Sequence, residues 1–225
     1  MSCPWRDLTE PGQLDKVCEA NLCAWVVEPG NTASNLAYLL VGLWLLSRPR
    51  NGSRAHWFGY LAIVIAVGSS AYHATNLSWG RMADWASIYG ITGVMTALNL
   101  RRWLEIGTAT QMGTALGLPA LMIGIVSLRP DWALPVLLIA MPCCYIECWL
   151  AHKHRAQIEW RHYLLAWSSG GAAVIAWALD DVPHLCDPSR HWLSGHAIWH
   201  LLSAGFLLQI ELFYRQFDSF ADVTK

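Results

Sequence analysis

The chain has 225 residues, of which 55% are hydrophobic and 14% charged, and its formal net charge at pH 7 is -1. A soluble domain carries roughly 25% charged residues, so this composition describes a chain solvated mainly by lipid, and a balance so near neutral implies no nucleic-acid partner. The mean hydropathy of +0.31 understates this, because the 14 Trp count as polar on that scale while acting as interfacial anchors in a bilayer.

Residues 1–30 contain no apolar run after a basic start, so no signal peptide is expected and the first span directs insertion itself. Apolar stretches near the roughly 20 residues that a bilayer requires follow at 31–47, 56–76, 81–100, 110–128, 132–150, 162–179 and 192–214. These predict an all-α integral membrane bundle of seven transmembrane helices. A soluble helical core of this size would show charged stripes at helical period, and 110–128 and 162–179 show none. Breaks after the odd-numbered stretches hold Arg48, Arg50 and Arg54, then Arg101 and Arg102, then Lys153, Arg155 and Arg161, with Arg215 and Lys225 in the tail. The other side has Arg6, Lys16, Arg81, Arg129 and Arg190, so the positive-inside rule puts the N-terminus outside and the C-terminus in the cytoplasm. The expected division is an extracytoplasmic arm at 1–30, a membrane domain at 31–214 and a cytoplasmic tail at 215–225.

Four polar side chains interrupt the second and seventh stretches. Ser69-x-x-x-His73 and His196-x-x-x-His200 each place two side chains one helical turn apart on one face, so two facing helices can direct three imidazoles and a hydroxyl to one point. Three imidazoles are the ligand count of a catalytic zinc, which keeps a fourth position open. Asp84, on the third stretch, is placed as the group that reaches that position. In the expected topology His73, Asp84 and His196 all fall at the outer side, at one depth. Ala197 follows His196, so the glutamate of the His-Glu-x-x-His metalloprotease motif is missing and Asp84 is its replacement.

Ser-x-x-x-His, an Asp on the following helix and a late His-x-x-x-His, spread over seven spans, resemble the membrane hydrolase superfamily of alkaline ceramidases and adiponectin-type receptors. Cys18-Glu19-Ala20-Asn21, then Glu28-Pro29-Gly30-Asn31-Thr32-Ala33-Ser34-Asn35 leading into the first span, resemble the alkaline ceramidase pattern more narrowly. The likeness runs from about residue 15 to residue 214. It implies zinc held by His73, His196 and His200, with Ser69 and Asp84 completing a catalytic site. In that chemistry Asp84 takes a proton from the attacking water and passes it to the leaving amine, while Ser69 either donates to the developing oxyanion or holds the water at the zinc. The resemblance further implies a calcium ion at the arm, with Glu19, Asn21 and Glu28 as oxygen ligands. Lys16-Val17 stand where the family has an acidic-aromatic pair, so Asp15 and the Val17 carbonyl are the expected remaining ligands.

Cys3, Cys18, Cys23 and Cys186 fall on the outer side, where disulfides form, while Cys143, Cys144 and Cys148 lie within the fifth stretch and read as packing residues. The resemblance implies a Cys18–Cys186 bridge, and a Cys3–Cys23 pairing is possible. His152-Lys153-His154 reads as a solvated basic loop, Asp180 and Asp181 as a solvated loop, and Glu147 and Glu211 as interfacial acids. Gly170-Gly171 reads as a site of close helix packing. The expected activity is zinc-dependent cleavage of the amide of ceramide or a ceramide-like lipid drawn from the bilayer. A hydrolase of another lipid amide or ester, or a receptor-like lipid-binding protein with structural zinc, remain alternatives. Short loops favour a bacterial inner membrane over endoplasmic reticulum or Golgi.

Overall fold

The computed structural model describes residues 3–5, 8, 17–48, 56–140, 158–180 and 182–217. These residues form helices and connecting segments, and among them there is no strand. The helices are α1 (Pro29–Ser34), α2 (Leu36–Ser47), α3 (Trp57–Thr75), α4 (Ser78–Leu104), α5 (Thr108–Leu128), α6 (Ala133–Ala140), α7 (Trp160–Asp180) and α8 (Gly195–Arg215), with a 3-10 turn at Pro130–Trp132. Three of the described helices, α3, α5 and α8, are long and apolar enough to cross a membrane. α4 and α7 are as long but more polar, carrying Arg81, Asp84, Arg101 and Arg102 in one and Arg161 and Asp180 in the other.

Several boundaries depart from the sequence expectation: α4 runs three residues earlier and four later than the stretch 81–100, and two further departures have a visible cause. The stretch 31–47 is not one helix, because Ser34 Oγ and Asn35 Nδ2 both donate to the Asn31 carbonyl and divide it into α1 and α2. The last helix begins at Gly195 rather than 192, because Ser194 is its N-cap and accepts from Ala197 N–H at 2.9 Å. The second half of the fifth stretch, with Cys143, Cys144, Glu147 and Cys148, lies outside the described residues, as do Asp15, His152-Lys153-His154 and Asp181.

The chain divides into two compact units, Met1–Arg81 with Glu159–Lys225, and Met82–Ile158; α4 begins in the first and continues in the second. In the first unit α8 is the central element, packed against α7, α2, α3 and α1. Glycine lets backbones approach at two places that matter. A Cβ on Gly42 of α2 would lie 2.9 Å from the Gly59 carbonyl of α3, and one on Gly195 would collide with the Ala176 carbonyl of α7. Gly170 also packs closely, against the Phe206 ring, whereas its neighbour Gly171 faces open space. At the Arg215 end, Phe58 packs on Tyr214 with centroids 5.4 Å apart and Tyr163 on Phe213 at 5.1 Å. Glu211 is not interfacial there: it is buried and accepts from Arg215 Nε at 3.0 Å. The second unit closes around Tyr89, Met122, Val126, Ala133 and Val136, with the Tyr89 hydroxyl donating to the Ala133 carbonyl at 2.8 Å.

Candidate metal centre

The last turns of α3 and the first turns of α8 come together within the first unit. Ser69 and His73 lie on one face of α3, His196 and His200 on one face of α8, and all but the partly buried His196 are buried. One ring nitrogen from each of His73, His196 and His200 falls within 4.8 Å of the other two, a group that could hold a metal ion. His73 Nε2 and His196 Nε2 are 3.1 Å apart. Ser69 Oγ lies 3.4 Å from His200 Nε2.

The opposite edges of two of these rings fix where their protons sit. His73 Nδ1 lies 2.6 Å from Glu28 Oε2, so its N–H donates to the carboxylate. His200 Nδ1 lies 2.7 Å from Ser34 Oγ, whose own hydrogen goes to the Asn31 carbonyl at 2.8 Å. Ser34 therefore accepts, and His200 Nδ1 is the donor. Both rings are left with a lone pair on Nε2, pointed at the shared centre. Three imidazoles with Nε2 turned inward and two Nδ1 protons anchored outward are the donor set of a three-histidine zinc site. The residues present fit the metal.

The segment before α1 reaches this centre because it caps the end of α3. The last carbonyls of a helix have no partner within it, and here Val27 N–H donates to Ala74 O and Glu28 N–H to His73 O, each at 3.0 Å. Asn76 closes α3 in the left-handed conformation (φ 53°), which Asn tolerates, and its Nδ2 donates to Glu28 Oε1 at 2.8 Å and to Asn21 Oδ1 at 3.0 Å. Glu19, also buried, accepts from Gly30 N–H and Asn31 N–H at 2.7 Å each and from His191 Nδ1 at 3.0 Å. Gly30 is required at that point, since a Cβ there would strike the His191 carbonyl. Of the residues expected to hold calcium, Glu19, Asn21 and Glu28 thus have oxygens directed at N–H groups of the chain, Val17 is half-buried, and Asp15 lies outside the described residues.

Two disulfides pin the arm, Cys18–Cys186 and Cys3–Cys23. The loop that carries Cys186 turns at Asp187, whose carboxyl is held below the ordinary range chiefly by the donating Ser189 hydroxyl. Asp180 is not a solvated loop residue. It is buried, and one oxygen accepts from Cys18 N–H at 2.8 Å while the other accepts from His196 N–H at 3.0 Å. Its charge therefore also sits favourably at the N-terminus of α8. Ser194 ties the same helix end to α1 by donating to Asn31 Oδ1 at 2.8 Å. Sequence reasoning missed Asp180, Ser34, Asn31 and Asn76 as supports of the site. Asp84 belongs to the second unit, where it is buried on α4 and its main-chain carbonyl accepts from the Ser87 hydroxyl at 2.6 Å.

The family model described as Ceramidase matches residues 15–219. The chain belongs to the ceramidase family. Membership suggests hydrolase chemistry on ceramide, and the group of three histidines is consistent with use of a metal. A search of curated proteins found no match.

Proposed function

We propose that this ceramidase-family chain is an integral membrane zinc hydrolase that cleaves the amide of ceramide or a ceramide-like lipid to a fatty acid and a long-chain amine. The single observation that carries the metal reading is the convergence of one ring nitrogen from each of three histidines, two of whose rings, His73 and His200, are held by Glu28 and Ser34. His73, His196 and His200 would hold the zinc, which when bound supplies Lewis acidity and a nucleophile from water at neutral pH.

The chain's own groups do the rest. Water adds to the amide carbon, the carbon–nitrogen bond breaks, and the amine departs only once it has gained a proton. Asp84 takes the proton from the attacking water and delivers it to that nitrogen; the role is carried over from the family pattern. Ser69, buried beside His200, donates its hydroxyl hydrogen to the carbonyl oxygen as negative charge develops there. Seven spans, with the N-terminus outside and the C-terminus cytoplasmic, complete the proposal. In that topology the metal centre lies near the outer face of the host membrane, for which we propose a bacterial inner membrane. A calcium ion on Asp15, the Val17 carbonyl, Glu19, Asn21 and Glu28 is a separable part of the reading, carried over from the family pattern alone.

The test is fatty-acid release by detergent-purified protein from a panel of ceramides beside ester-linked lipids of matched chain length. Preference for the ceramides supports the reading. Turnover of esters alone moves the substrate to another lipid class, and binding without product favours a receptor-like protein with structural zinc.

A further inference from the structure

The segment Glu28–Ser34 is placed so that its two ends meet two different metal-facing histidines. Glu28 Oε2 takes the Nδ1 proton of His73 at 2.6 Å, and Ser34 Oγ takes that of His200 at 2.7 Å. His196 has no such support: its Nδ1 is buried and has no hydrogen-bond partner. The segment is itself held from several sides. Asn31 donates to Glu28 and accepts from Ser194, Glu19 holds the N–H groups of Gly30 and Asn31, and Glu28 N–H bonds the His73 carbonyl.

We propose that Glu28 and Ser34 are positioning residues of the metal centre, which set the tautomer and orientation of His73 and His200 and so govern how tightly the chain retains its metal. For Glu28 this is a role separate from calcium coordination, and it rests on the zinc reading above. A carboxylate that accepts a ligand histidine's second N–H raises the basicity of the nitrogen facing the metal and fixes the ring plane; a hydroxyl does the same more weakly. Because both supports come from one seven-residue segment, any change that lifts this segment off α3 and α8 loosens two ligands at once. The arm thereby becomes the outer wall of the site rather than an appendage to it.

The experiment measures zinc dissociation into a chromophoric chelator from full-length, detergent-purified protein, together with the absorption spectrum of the cobalt-substituted form. Glu28→Gln keeps an acceptor oxygen but loses the charge, and is expected to release zinc about 10-fold faster; Glu28→Ala is expected to do so about 100-fold faster. Ser34→Ala is expected to give an intermediate acceleration, and both Glu28 variants to shift the cobalt bands. Thermal unfolding of zinc-loaded and zinc-free samples separates positioning from simple destabilisation. A positioning role shrinks the stabilisation that zinc confers, whereas a purely structural role lowers both melting temperatures equally. Wild-type protein that binds zinc, with Glu28→Gln and Ser34→Ala releasing it at the wild-type rate, would overturn the inference while leaving the zinc reading intact. Wild-type protein with no bound zinc would overturn both.

Discussion

His200 contributes one of three convergent nitrogens and is itself supported by Ser34. Its replacement in His200→Ala is expected to abolish metal retention and turnover together, as measured by metal content after dialysis and by product release. Ser69 and Asp84 are assigned differently, to the reacting groups rather than to the metal. Ser69→Ala should keep the metal and lower kcat about 10²–10³-fold, the usual effect of losing one oxyanion donor. Asp84→Asn should also keep it and lower kcat about 10²–10⁴-fold, the range of a general acid–base group. Full metal content with unchanged turnover in either variant would remove that residue from the mechanism. The four residues of the two helical pairs were legible in the sequence because a four-residue spacing in a helix leaves little choice of face. Their supports were not. Glu28 and Ser34 act through a fold of the arm over the end of α3, and nothing in their local sequence announces that contact.

At the scale of the element, the decisive feature is the N-terminus of α8, which presents His196 and His200. Ser194 caps it, and Asp180 bridges it to Cys18 by accepting two main-chain N–H bonds with its two oxygens. Asp180→Asn can satisfy only one of those donors and turns an amide N–H toward the other. The expected cost is about 1–3 kcal/mol of stability, read by thermal unfolding in detergent; a variant as stable as wild type would show the bridge to be dispensable. Sequence reasoning placed Asp180 in a solvated loop because it ends α7 beside Asp181. Its burial depends on Cys18 arriving from 162 residues away in the chain, which periodicity cannot register. The break between α1 and α2 was hidden for a related reason. An apolar run shows where a helix is permitted, and the side chains of Ser34 and Asn35 turning back on Asn31 decided where it stops. The long stretches at 56–76 and 110–128, by contrast, were read to within a residue or two of α3 and α5.

For the molecule as a whole, the arm, the end of α3, the loop after α7 and the start of α8 form one cross-linked assembly around the three histidines. The Cys18–Cys186 bridge joins residues 168 apart in sequence. Chain-entropy arguments assign a link of that length about 5 kcal/mol, and less where the helices stay inserted in lipid when the protein opens. Cys186→Ser is therefore expected to lower the melting temperature and also to hasten loss of metal, since the arm that carries Glu28 is no longer held. Lower stability with unchanged metal retention would separate the arm's anchoring from the site. The all-helical character of the described residues and the three helices apolar enough to cross a membrane followed from composition and apolar run length, and the family likeness rested on short motifs kept in order along nearly the whole chain.

The measurement that tests the central claim most directly is a zinc titration of chelator-treated, detergent-purified protein with ceramide as substrate and fatty-acid release as the signal. The account predicts no release before zinc is added and a linear recovery that ends at one zinc per chain, with none in His200→Ala. Release that persists in the zinc-free protein, or recovers equally in His200→Ala, would contradict it.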